Sequence, residues 1–336
     1  MTVRERFHAT MNADPAADCC PVMEWASWWD KTVHFWEEEG LPKGLTSQEL
    51  FRYFGLDPHY QFWFPTKLPN CPKPVSHGAP IITDESDYKA IRHLLLPEDA
   101  VERMLPQIEA ALPQYESGEA LAWYTLEGFF WFPRELFGIE GHLYSFYDEP
   151  ELYHRICSDL LEWQLKVVED LSRYLKPDFM SIAEDMSYNH GPMISEELFE
   201  EFIAPYYKQL TAAIKKQSTR VIVDSDGDIS VSVPWFIRSG VEGILPLEKQ
   251  AGVDIGALQQ EYPDFLWLGG FDKMCLLKDR EAIDAEFARI LPMLRRGRFV
   301  PSVDHQTPPG VSMENYRYYI DRLRHFGVQA CKDAAL

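Results

Sequence analysis

From about residue 118 onward the chain repeats one pattern, a short β-branched and apolar run followed by a longer stretch with apolar positions at helical spacing. Strand-like runs fall at 120–125, 178–183, 220–223, 243–246, 265–270 and from 299. Helical stretches separate them at 150–175, 195–217, 230–239, 254–262 and 280–295, and 313–326 closes the series. In the first of these, Ile156, Leu160, Trp163, Val167 and Leu171 recur near the helical period on one face. Pro150 suits its first turn, where the missing N–H costs nothing. Strands alternating with helices of this length mean parallel βα units. Five consecutive units in the second half exceed what a small doubly wound sheet needs. The expected fold is therefore α/β, a (β/α)8 TIM barrel with additional N-terminal helical elements. No linker, low-complexity tract or charge run divides the chain, so one domain over 1–336 is expected.

Charge narrows the partners. With 32 basic and 53 acidic side chains the formal charge is -21, which repels nucleic acid phosphates and anionic membrane surfaces. Neither is expected as a partner. The opening Met1-Thr2-Val3-Arg4-Glu5-Arg6 lacks the apolar core of a signal peptide, and no apolar stretch reaches transmembrane length. A cytoplasmic protein is expected, with enough helical surface for a homodimer. The six cysteines contain no Cys-x-x-Cys pair, which disfavours a thiolate zinc cage.

The polar residues lie at one end of the repeated units. Glu184 and Asp185 follow the run at 178–183, and Asp224, Ser225, Asp226, Gly227 and Asp228 follow 220–223. Glu248 follows the next run, then Asp272 with Lys273, then Asp304 with His305. In a parallel barrel these positions converge on the mouth, where chemistry is built. Read singly, an acid there is a helix cap, and Asp228 and Asp272 fit that role well. Read together, converging carboxylates repel unless a cation or shared protons relieve them. Asp224 and Asp226, two apart, face one side of an extended chain. With His305, held by the stiff Thr307-Pro308-Pro309-Gly310 turn, they form an O/O/N ligand set suited to a catalytic divalent ion.

Three stretches resemble the uroporphyrinogen decarboxylase superfamily, which includes the porphyrin decarboxylases and the corrinoid-dependent methyltransferases. Residues 194–208, running Ile-Ser-Glu-Glu-Leu-Phe-Glu-Glu-Phe-Ile-Ala-Pro-Tyr-Tyr-Lys, look like a conserved helical segment of that family. Residues 221–227 sit where its methyltransferase branch has strand-His-x-Cys-Gly, and 304–315 look like its closing Gly-[His/Cys]-x-x-x-Pro-x-x-[Thr/Ser]-x-Glu-[His/Asn]. The early Arg-rich motif by which true decarboxylases grip a porphyrin is missing. Residues 21–30 read Pro-Val-Met-Glu-Trp-Ala-Ser-Trp-Trp-Asp, with no arginine. The resemblance thus points to the methyltransferase branch, whose zinc is held by a His and two Cys. Asp224, Asp226 and His305 stand at those three positions here. Such a site is harder than a thiolate one, and manganese or iron suits it as well as zinc.

The resemblance implies a metal-dependent methyltransferase that moves a methyl group from a small methoxylated or methylated compound to cobalamin on a separate corrinoid protein. Metal on Asp224, Asp226 and His305 would bind the leaving oxygen, while Glu184 or Asp185 completes its shell or supplies a proton. Tyr124 would orient the substrate. Aromatic residues of the first half, chiefly Trp28, Trp29, Trp123 and Trp131, are expected as pocket walls over an acidic floor that includes Glu248. Such a pocket favours a flat ether or a cation over an anion. The alternative is a cofactor-free decarboxylase or lyase of the same superfamily, using His305 and Glu184 for proton transfer on a non-porphyrin substrate.

Overall fold

The computed structural model describes residues 1–26 and 28–334. Seven parallel strands form one curled sheet. They are β1 (His59–Trp63), β2 (Leu121–Glu127), β3 (Phe179–Ala183), β6 (Arg220–Asp224), β7 (Gly243–Leu245), β8 (Leu266–Phe271) and β9 (Phe299–Val303), paired in that spatial order. A small antiparallel hairpin, β4 (Ser187–Tyr188) and β5 (Gly191–Pro192), rises from the loop after β3.

The predicted barrel is present, with its eighth stave made differently. Among the described residues no ladder joins β9 to β1. Residues 22–25 fill the gap instead. Val22 N donates to Asp57 Oδ2 at 2.9 Å, and the Trp25 indole donates to the Val303 carbonyl at 3.0 Å. Side chains alternate along this stave as on a strand. Met23 and Trp25 join the barrel interior, while Val22 joins the outer core.

The interior is packed in layers. Met23, Leu121, Trp123, Phe179, Ile222, Leu245, Leu268 and Val300 make an apolar floor, which Phe7 and Met11 seal from below. Trp123 stacks on Phe179 with ring centroids 4.8 Å apart. The sealing helix, Val3–Met11, starts with a reciprocal Thr2–Glu5 capping box and is pinned by Arg4 to Asp178 at 2.9 Å. With the amino end of the strands closed in this way, only their carboxyl ends open outward. Above the floor runs a polar rung. Gln61 donates to Thr125 Oγ1 at 2.9 Å, and Thr125 and Ser181 share a hydroxyl bond of 2.8 Å.

The outer helices bury the larger core against the back of the sheet. Pro150–Leu171 forms as its spacing predicts, with Ile156, Leu160, Trp163, Val167 and Leu171 all buried. The stretch 195–217 is two helices, Glu196–Phe202 and Ala204–Lys216, because Pro205 enters the first turn of the second. The closing helix runs to Ala334, further than its apolar pattern indicated. No helix among the described residues is long and apolar enough to cross a membrane.

Candidate functional site

Backbone bonds clamp the ends of β3 and β6 together. Glu184 N and Asp185 N donate to the Asp224 carbonyl at 2.8 and 3.3 Å, and Asp226 N donates to Asp185 Oδ1 at 3.2 Å. One carboxylate oxygen from each of Asp185, Asp224 and Asp226 consequently lies within 4.8 Å of the others, a spacing one divalent ion can span. Asp185 holds a φ of 36°, in the left-handed region, at a cost on the order of 1 kcal/mol for a residue with a Cβ. That turn swings its side chain toward the mouth.

Burial, then repulsion from Asp226, pushes Asp185 up to about 6. Asp224 is raised well above the usual carboxylate range, by burial first and then by its two acidic neighbours. His305 approaches from the end of β9, its Nε2 3.6 Å from Asp226 Oδ2. That nearby carboxylate raises the imidazole's pKa, against the effect of its own burial. Trp25 stands edge-on to the ring, with centroids 6.5 Å apart.

Neighbouring acids hold this arrangement in place. Asp304 is fully buried and accepts the backbone N–H groups of Lys249 and Lys273 at 2.9 and 3.1 Å. It ties the loops after β7 and β8 to the residue before His305. Glu248, expected on the pocket floor, braces the Asp224–Gly227 loop. It accepts Gly227 N at 2.8 Å and pairs with Lys273 Nζ at 3.4 Å. Gly227 has a φ of 81°, and a Cβ there would lie 2.6 Å from the Tyr188 backbone, so only glycine fits. Asp272 is the cap its sequence context indicated, accepting Met274 N at 2.9 Å.

Several expected site residues lie elsewhere. Glu184 has no exposure and is turned behind the barrel wall, where it accepts Phe130 N at 2.9 Å. It fits only because residue 128 is glycine, since a Cβ there would lie 1.2 Å from Glu184 Oε2. Burial pushes this acid up to about 8. Consecutive residues leaving a strand point to opposite sides, so one member of the Glu184–Asp185 pair had to face away.

The same rule moves Tyr124. It points outward, buried beside Phe64, while Trp123 faces in but lies on the sealed floor. Trp28 is buried outside the barrel among Trp36, Phe51, Phe54 and Tyr316. Trp29 is 47% exposed and precedes the helix Asp30–Glu38. Of the expected aromatic walls, Trp131 lies at the rim, with the Arg134 guanidinium 5.1 Å from its ring centroid.

Two further residues escaped the sequence reading. Glu127 ends β2 level with Ala183 of β3 and accepts the Thr66 hydroxyl at 2.8 Å. Burial, then Glu135, raises it to about 7. Its signal was the alternation Trp123, Thr125, Glu127 along one strand face. Arg134 gave no sequence signal, yet its charge offsets a part of the rise at Asp185.

No curated protein sequence matches the chain. The fold matches a methyltransferase from Methanosarcina mazei with a TM-score of 0.69, at 15% identity over 97% of this chain and 99% of that one. A β-glycosidase from Thermosphaera aggregans overlaps more loosely, with a TM-score of 0.49 and 9% identity over 86% of each chain. The profile for uroporphyrinogen decarboxylase (URO-D) matches residues 136–326, from the helices after β2 to the closing helix. The chain belongs to the uroporphyrinogen decarboxylase family.

Proposed function

We propose that the protein is a divalent-metal-dependent methyltransferase that takes a methyl group from a small methoxylated or methylated compound, with a corrinoid on a separate protein as acceptor. The convergence of Asp185, Asp224 and Asp226 at the barrel mouth carries this reading. Three carboxylates held this close suit a hard divalent cation, and no cysteine belongs to the cluster. A bound ion there would supply Lewis acidity toward a leaving oxygen, worth several kcal/mol. Of the ligand set expected from sequence, Asp224 and Asp226 are proposed together with Asp185, and His305 stands beside Asp226 outside the cluster.

The chain's own groups supply the rest. The clamp between the β3 and β6 loops fixes the three acids before any ligand arrives. Held beside Asp226, His305 is placed to carry a proton at the leaving oxygen. His305 and Asp226 leave 29% and 38% of their side chains open, so a large acceptor borne by a partner can reach the cluster. Trp63, 43% exposed at the end of β1, and Trp131 offer apolar walls on the same rim.

The His305–Asp226 pair also favours a second reading, an acid–base lyase needing neither metal nor corrinoid. Metal analysis by mass spectrometry on wild type, Asp224→Asn and His305→Ala, combined with methyl transfer from a panel of methoxylated aromatics to reduced cobalamin, separates the two. Stoichiometric metal lost in Asp224→Asn, with a cobalamin absorbance change in wild type, supports methyl transfer. Wild-type protein that cannot be loaded with zinc, manganese or iron overturns it and leaves the lyase.

A further inference from the structure

The loops after β1 and β2 enclose a cleft of about 520 Å³ on the same rim as Asp185, between residues 67–81 and the helix Trp131–Phe137. Its walls are mostly apolar, supplied by Leu68, Pro69, Ile81, Ile139 and the ring of Trp131. In a chain of charge -21, the polar groups here are mainly cationic: Lys67, Lys73 and Arg134. Lys67 is neutralised by an ion pair with Glu135. Arg134 has no ion pair among the described residues and rests over Trp131, 5.1 Å from its ring centroid.

A half-buried guanidinium without a carboxylate partner presents a planar donor fork, which matches a carboxylate in two parallel hydrogen bonds. One such group among apolar walls suits a single negative charge on a flat hydrophobic body better than a phosphate. The cleft volume fits a small organic ligand. The loops that line the cleft follow β1 and β2, and those that carry the acids follow the neighbouring β3 and β6, so the cleft and the acidic cluster share one rim.

We propose that this cleft anchors the carboxylate of a small aromatic acid on Arg134, with Trp131 as the flat wall and the rest of the molecule directed toward Asp185. The assignment rests on the acidic cluster being the reacting end, and it reverses the expectation that aromatic walls over an acidic floor disfavour an anion.

Calorimetric titration with 4-methoxybenzoate and its uncharged methyl ester tests it, on wild type, Arg134→Gln, Arg134→Lys and Asp185→Asn. The acid should bind wild type about tenfold or more tightly than the ester, and Arg134→Gln should abolish that preference. Arg134→Lys should keep part of it, and metal content should be unchanged in both Arg134 variants. Asp185→Asn should lose metal and keep acid binding. No acid binding to wild type, equal binding of acid and ester, or undiminished binding in Arg134→Gln overturns the proposal. Acid binding abolished by Asp185→Asn but not by Arg134→Gln also overturns it, and leaves the methyltransferase reading standing. The converse result, Arg134-dependent binding to a protein that takes up no metal, keeps the subsite and removes that reading.

Discussion

His305 Nε2 and Asp226 Oδ2 face each other at 3.6 Å, the first brought by β9 and the second by the loop after β6. The pair spans the mouth across the two intervening loops after β7 and β8, and both loops are fixed from beneath by Asp304. Placement and chemistry are therefore divided between adjacent residues. Asp304 anchors, and His305 stays open to the site.

His305→Ala should consequently keep the fold while losing function. Metal affinity is expected to fall by about 10- to 100-fold, the usual effect of removing an imidazole at or beside a metal. Methyl transfer should fall at least as far. Metal titration beside circular dichroism checks both, and a change in secondary structure would contradict the assignment of the anchor to Asp304.

Removing a carboxylate from the cluster should stabilise the metal-free protein. Asp185 is pushed up to about 6, so holding it ionised near neutrality costs on the order of 1 kcal/mol, allowing for its partial exposure. Asp185→Asn is expected to raise the urea midpoint of metal-free protein while abolishing metal binding. A lower midpoint would mean that the hydrogen bond from Asp226 N outweighs the repulsion.

The stability of metal-free protein should peak at acidic pH. Asp185, raised to about 6, Glu24 and Glu127, raised to about 7, and Glu184, raised to about 8, all have folded-state values above those of an unfolded chain. Each stabilises most below its unfolded value near 4, and that contribution is lost as pH rises through its folded one. Burial lowers His59 to about 4 and His142 to about 3, and their contribution is lost as pH falls below about 6.5. Above about pH 4 the four raised acids outweigh the two lowered imidazoles, so denaturation midpoints should be highest near pH 4 and fall as pH rises toward about 7. Divalent metal should restore stability on the alkaline side, where its ligands are ionised.

Gly128→Ala should be severely destabilising, by about 3 kcal/mol or more, because the added methyl would lie 1.2 Å from Glu184 Oε2. Combining it with Glu184→Ala should recover part of that loss, because the clashing carboxylate is gone while the Ala183 carbonyl, 2.9 Å from the added methyl, remains. Thermal unfolding of the single and double variants measures the coupling.

The periodicity made the repeated βα units readable, since strand and helix spacings differ and each apolar run is short. The acids after β3, β6, β7, β8 and β9 were readable as well, because parallel strands put their carboxyl ends on one rim. Distinguishing the roles within a pair was harder. Glu184 and Asp185 are adjacent acids after the same strand, and only the left-handed turn at Asp185 sends one to the mouth and the other into the wall. Trp28 and Tyr124 have the chemistry of pocket residues, but their faces belong to the outer core.

By itself, then, the sequence determined the barrel, the rim on which the polar residues gather, and Asp224, Asp226 and His305 as members of that rim. Those properties are local, fixed by side-chain spacing along one strand or turn. The tertiary structure decided that Asp185 joins the cluster, that Glu184 does not, that residues 22–25 stand in as the eighth stave, and that Arg134 overlooks the mouth. Each depends on where segments far apart in the chain come to lie against one another, and the spacing within any one segment carries no record of that.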